Sequence, residues 1–184
     1  MSKAELLAKM TPHGLVITGG TFGGSAAITA IDVAGALGMG GLSYPAYQFG
    51  MLKYAGDDRA RANVYRLVRI AAGAMAKAEQ WSITDAQIES LAALAIHEHL
   101  HCPVCSACNG CGLVAAKSCE QCLGTGRVNL SKRARAKLAG IERTEWNRRW
   151  DVRSRALWVV LANWEAELLA HLQKHFGRQA LETC

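Results

Sequence analysis

Seven cysteines stand in the 184-residue chain, and six of them fall between Cys102 and Cys122. Within that stretch Cys105-Ser-Ala-Cys108-Asn-Gly-Cys-Gly and Cys119-Glu-Gln-Cys122-Leu-Gly-Thr-Gly write CxxCxGxG twice. An odd, tightly clustered set is a poor basis for disulfides across a fold and points to metal. Two thiolates two residues apart grip one ion from a tight knuckle, and the glycines behind each pair permit the positive-φ turn that aims backbone N–H groups at sulfur. Two knuckles make a closed tetrahedral site, so the expected cofactor is a structural Zn2+ held by Cys105, Cys108, Cys119 and Cys122, the pairs that carry the trailing glycines. Cys102-Pro-Val-Cys105 is also a CxxC and Cys111 sits inside the first repeat, so either remains an alternative ligand. A thioredoxin-like redox pair would need a βαβ surround, which is absent. His97, His99 and His101 read as a helix end, where histidine suits the carbonyl pole, with a mixed site as the alternative. His171 and His175 read as solvated helix positions, and Cys184 as a free terminal thiol.

A second kind of chemistry lies just downstream. Between Arg127 and Arg155 there are ten basic residues against three acidic ones, a local excess of seven charges in a chain whose formal charge is +6. The positive balance is thus confined to 29 residues, the electrostatic footprint of a phosphate-backbone surface. A short helix, a glycine-containing turn and a second helix fit helix-turn-helix geometry, which sends the opening of the second helix into the major groove of double-stranded DNA. Glu145, Asn147 and Arg148 would face bases, with Arg143, Thr144, Arg149 and Arg153 on the same element. Lys132, Arg133, Arg135 and Lys137 would lie along phosphates. Trp146 and Trp150 keep register with Leu157 and Val160 and read as core rather than as stacking platforms.

The elements that must carry these groups are helical. Residues 14 to 50 hold ten of the 18 glycines and one charge, so residues 1–24 read as a flexible arm, with Ser25 capping a helix to about Leu37. Tyr44-Pro45 opens another helix that stops near Gly56. Asp57 caps an amphipathic helix with Val64, Leu67, Val68, Ala71 and Met75 on one stripe. Thr84-Asp-Ala-Gln87 has capping-box spacing ahead of Ile88, Leu91, Leu94 and Ala95. Ser131 to Leu138 is a short basic helix, 139–141 a turn, Thr144 the cap of a long helix and Gly177 its terminator. Any β structure is confined to ribbons around the cysteines. The expected fold is therefore mainly α: a helical body over 25–184, with an inserted zinc-ribbon-like element at 102–128 and a helix-turn-helix-like segment at 131–160.

Composition closes off several classes. The chain is 51% apolar and 20% charged, as globular proteins are, and no apolar run is long enough to span a membrane. The first ten residues have no secretory h-region, which favours the cytoplasm. An enzyme is the least favoured class: a four-thiolate site is coordinatively closed, His97-Glu-His99 is too closely spaced for a helical metalloprotease pair, and there is no Ser/His/Asp set.

The order of features, a glycine-rich entry, Asp32-Val33-Ala-Gly-Ala36-Leu-Gly38-Met39, two amphipathic helices, the double CxxCxGxG and a basic helix pair, resembles the lambdoid phage antitermination protein Q family over residues 25 to 175. The resemblance implies a regulator that binds a specific DNA site near a phage late promoter in the bacterial cytoplasm. Such a regulator loads onto paused RNA polymerase with its sigma factor and promotes readthrough of pauses and terminators. The extra Cys102 and Cys111 and the ten-residue spacing between knuckles depart from that pattern. The alternative is a zinc-stabilised helix-turn-helix repressor or activator that does not travel with polymerase. A DnaJ-like client-binding module shares the cysteine repeat, but the chain has no His-Pro-Asp tripeptide and two repeats instead of four.

Overall fold

A computed structural model describes residues 28–182 except positions 111, 116, 123, 125 and 129, with side chains described through residue 176. The expected arm over 1–24, Ser25 and Cys184 lie outside the described residues. Helix α1 spans Ala30–Gly38, and its cap is Thr29, whose side chain accepts from the Asp32 N–H while Asp32 Oδ2 accepts from the Thr29 N–H. This reciprocal box satisfies two backbone donors that would otherwise be orphaned. Helix α2, Tyr44–Lys53, starts from Ser43 with Pro45 in its first turn and closes at Tyr54, just short of the expected Gly56. Asp57 caps a 3-10 turn, Asp58–Ala60, that leads directly into α3, Arg61–Ala78. Helix α4, Asp85–His101, opens on the Thr84/Gln87 capping box read from the sequence.

The cysteine stretch interrupts the helices with one antiparallel ribbon, β1 Leu113–Val114 against β2 Lys117–Ser118, pairing Leu113 with Ser118. Helix α5, Lys132–Leu138, is capped by Ser131 and ends at a turn with Gly140 at φ 63°. The second member of the basic pair starts differently from expectation. Glu142 holds the cap position and makes no side-chain cap bond, Thr144 lies inside the three-residue α6, Arg143–Glu145, and a π-turn follows over Trp146–Trp150. Across that turn the Asp151 N–H bonds the Trp146 carbonyl five residues back. Helix α7, Asp151–Glu182, then runs on through Gly177, which does not terminate it.

Helix α7 is the spine that joins two cores. Its first half packs Leu157 and Leu161 with Trp146 and Trp150 against Phe49 of α2, Val64 and Val68 of α3, and Leu91 and Ala95 of α4. Its second half packs Leu168, Leu169 and Leu172 against Val33, Ala36 and Leu37 of α1. The two cores meet where α2 crosses α7: a Cβ on Gly50 would stand 2.8 Å from Leu168 Cδ1, so glycine sets how near the helices come. Both tryptophans are core, as their register predicts. Among the described residues no helix is long and apolar enough to cross a membrane.

Because Leu161 is fully buried at the centre of the larger cluster, Leu161→Ala should lower unfolding free energy by about 2–5 kcal/mol through lost transfer energy and the cavity left behind. Val159→Ala, two residues away on the opposite side of α7 and 51% exposed, should change it by less than about 0.5 kcal/mol. Urea unfolding followed by far-UV circular dichroism measures both.

Candidate metal centre and basic segment

The four cysteines that precede or flank the repeat glycines converge. Cys105, Cys108, Cys119 and Cys122 are all buried, and their sulfurs lie within 4.8 Å of one another. Cys105 Sγ is 4.0 Å from Cys119 Sγ and Cys108 Sγ is 3.6 Å from Cys122 Sγ. A tetrahedron of thiolates on zinc, with bonds near 2.3 Å, separates sulfurs by about 3.8 Å. The spacing therefore fits one ion shared by four sulfurs, and it is far too long for a disulfide. The donor set is all thiolate, which suits Zn2+ or another thiophilic ion.

The local backbone shows why the repeat has its glycines. The Gly112 N–H donates to Cys108 Sγ at 3.3 Å and the Gly126 N–H to Cys122 Sγ at 3.2 Å. Gly112 and Gly126 sit at φ 75° and 74°, and a Cβ on either would run into the carbonyl of Gly124 or Gly110 in the opposite knuckle. The knuckles also exchange backbone bonds, Cys105 N–H to Gly126 O at 2.9 Å and Cys119 N–H to Gly112 O at 2.8 Å. The β-bridge between Val104 and Arg127 matches the pairing of Ser118 with Leu113. The two halves are thus related by an approximate two-fold through the sulfur cluster.

Burial pushes the Cys105 thiol up to about 11. At Cys122 burial acts in the same direction but is outweighed by the N–H groups of Gly126 and Gly124 and by the Cys108 and Cys119 thiols, which bring it down to about 7. Cys102 is buried but stands outside the cluster, beside Glu98, Arg127 and Arg135, and burial raises its thiol above the usual range. Cys111 lies outside the described residues. His99 is not a helix-end histidine in solvent: it is fully buried with Nε2 3.2 Å from the Trp158 carbonyl. His171 is half-buried against the Ala36 carbonyl at 2.9 Å rather than solvated.

The basic segment divides into two sets. Arg133, Lys137, Arg143 and Arg149 are exposed and make no ion pair among the described residues, and Thr144 and Asn147 are exposed beside them. Lys132 and Arg148 are exposed but reach carboxylates, Asp151 at 3.3 Å and Glu145 at 3.7 Å. Two expected contact residues are turned inward. Arg135 is half-buried, its side chain 11% exposed, bonding Glu98 and standing 3.7 Å from Asp151, which also holds Arg155 at 3.1 Å. Arg153 is stacked between Trp81 and Trp150, 5.3 and 5.1 Å from their centroids, with NH1 on the Ser82 carbonyl. Both are fixed by partners from other elements, Glu98 and Trp81, which no local pattern could disclose. A groove of about 630 Å3 runs between the opening of α4 and the α5–α6 turn, beside Arg149 and Trp150.

No protein-family model, no curated protein and no solved structure matches the chain.

Substituting Cys119→Ser should abolish stoichiometric metal binding, whereas Cys102→Ser should keep one ion per chain. Gly126→Ala, which leaves all four thiols in place, should weaken binding because its Cβ collides with the Gly110 carbonyl. Elemental analysis of the purified proteins together with chromophoric zinc release reads all three.

Proposed function

We propose that the chain is a zinc-stabilised, DNA-binding transcription regulator that acts as an antiterminator of the phage protein Q kind. The observation that carries the DNA-binding part is the set Arg133, Lys137, Arg143 and Arg149, exposed and without an ion pair among the described residues, on and beside the turn between α5 and α6. A surface that leaves cations uncompensated beside exposed Asn147 and Arg148 suits phosphates flanking a base-reading side chain, since the phosphate term is electrostatic and the base term is geometric. Zinc follows from four thiolate donors in a closed site, which holds shape and leaves no position for substrate. The polymerase partner follows from the resemblance to the Q family. In that reading promoter DNA is held by releasable, salt-sensitive contacts, and a separate protein surface keeps the regulator on the bacterial enzyme with its sigma factor.

The test is run-off transcription by bacterial RNA polymerase on a template carrying the specific DNA site, a promoter, a pause and a terminator. Added protein should raise terminator readthrough, and DNA binding without readthrough would mark an operator-binding repressor or activator instead. In gel-shift titrations Arg148→Ala should cost about 1–3 kcal/mol on the specific site and relax its base preference. Lys137→Ala should weaken all duplexes about equally and reduce the salt slope by about one. Indifference of the wild-type protein to every duplex at low salt would defeat the reading.

A further inference from the structure

Arg127 belongs to the cysteine lobe by its backbone and to the helical body by its side chain. It follows Gly126 directly, and its strand position is set by the bridge to Val104 and the adjoining bond from the Cys105 N–H to the Gly126 carbonyl. Its guanidinium donates through NH1 to the Cys102 carbonyl at 3.2 Å and through NH2 to Glu165 Oε1 at 3.3 Å. Glu165, on α7, is the hub of a buried cluster. Lys53 Nζ reaches the same oxygen at 2.7 Å, the Tyr54 hydroxyl donates to it, and His99 Nδ1 lies 3.4 Å from Oε2. Lys53 and His99 each have side chains only 1% exposed. Burial alone would raise the Glu165 carboxyl, but Lys53, His99 and Arg127 hold it well below the usual carboxylate range, so the group Arg127 meets is ionised.

The opposite end of this connection has no apolar support of its own. Among the described residues, the buried cluster of the lobe consists of the four metal-site cysteines alone. Val104, Leu113, Val114 and Val128 are 38–54% exposed. A lobe built this way takes its folding free energy from the ion. When the ion leaves, the strand that carries Arg127 loses its partner knuckle, and a buried carboxylate loses a charged donor, which is costly for a desolvated group.

We infer that Arg127 is the positioning residue that couples occupancy of the four-thiol centre to the packing of α2, α4 and α7, through its ion pair with Glu165. The coupling rests on the thiol cluster binding an ion and is independent of the nucleic-acid reading. Because linkage is reciprocal, loosening the Glu165 end must weaken metal binding by the same factor with which metal stabilises the body.

The experiment uses the full-length chain, titrated with Zn2+ against a chromophoric chelator, and melts it by far-UV circular dichroism with and without the ion. Arg127→Met should bind Zn2+ about 5- to 150-fold more weakly with every thiol intact, the range of typical coupling energies. Its helical melting midpoint should depend much less on the ion than that of the wild type. Arg127→Lys, which keeps charge but loses the planar fork, should fall between them, and it carries the test if Arg127→Met does not fold. Arg66→Met, on the exposed side of α3, should behave as wild type. Wild-type Zn2+ affinity in Arg127→Met, or in Arg127→Lys if that is the folded variant, overturns the coupling while leaving the metal centre standing. A wild-type melting midpoint indifferent to bound Zn2+ does the same. A wild-type chain that takes up no Zn2+ overturns both.

Discussion

The cysteine lobe depends on bringing four sulfurs to within 4.8 Å of one another. Thiols gain nothing comparable to an apolar core from such an arrangement, and thiolates repel, so the cluster needs a cation to be a minimum in free energy. The two-fold relation sharpens that dependence. Each knuckle supplies the carbonyl that receives the other's cysteine N–H, and each holds the glycine whose missing Cβ makes room for the other's backbone. Neither half has a complete set of partners alone, so the lobe forms as a unit or not at all. Its exit strand leads within four residues of the basic helix α5, which places the candidate metal centre just upstream of the segment proposed to touch DNA.

Two carboxylates on α7, the buried Asp151 and the half-buried Glu165, each gather several cations. Asp151 gathers Lys132, Arg135 and Arg155, and Glu165 gathers Lys53 and Arg127. Local positive excess therefore splits into cations that brace the fold and cations that remain for a partner. Exposed pairs such as Arg148 with Glu145 contribute little to stability and are easily traded for another anion, whereas Arg135, enclosed with Glu98, is not available for exchange.

What could be read from the chain beforehand was what is local. Both CxxCxGxG turns, the Thr84/Gln87 box, the Val64/Val68 stripe and the inward tryptophans follow from spacing and side-chain chemistry within a few residues. Thr29 was hidden behind the more obvious Ser25, because two capping residues four apart compete and only the position of Asp32 decides between them. The inward turn of Arg135 and Arg153 was illegible, since Glu98 and Trp81 lie 37 and 72 positions away in the chain. Thr144 misleads for a different reason: a good capping side chain makes a cap only if the helix begins there, and here the start lies two residues earlier, at Glu142.

The π-turn at Trp146–Trp150 changes how the basic pair is mounted on the rest of the molecule. Successive residues of an α-helix advance by about 100°, so one surplus residue in a turn offsets everything ahead of it by that angle relative to the spine behind. Within the turn the indoles of Trp146 and Trp150 reach the interior while Asn147, Arg148 and Arg149 stand outward in succession. The bulge acts as a fixed azimuthal setting between α7 and the hairpin. A chain lacking that one residue would keep its charges yet aim those ahead of the turn at a different quarter of the horizon.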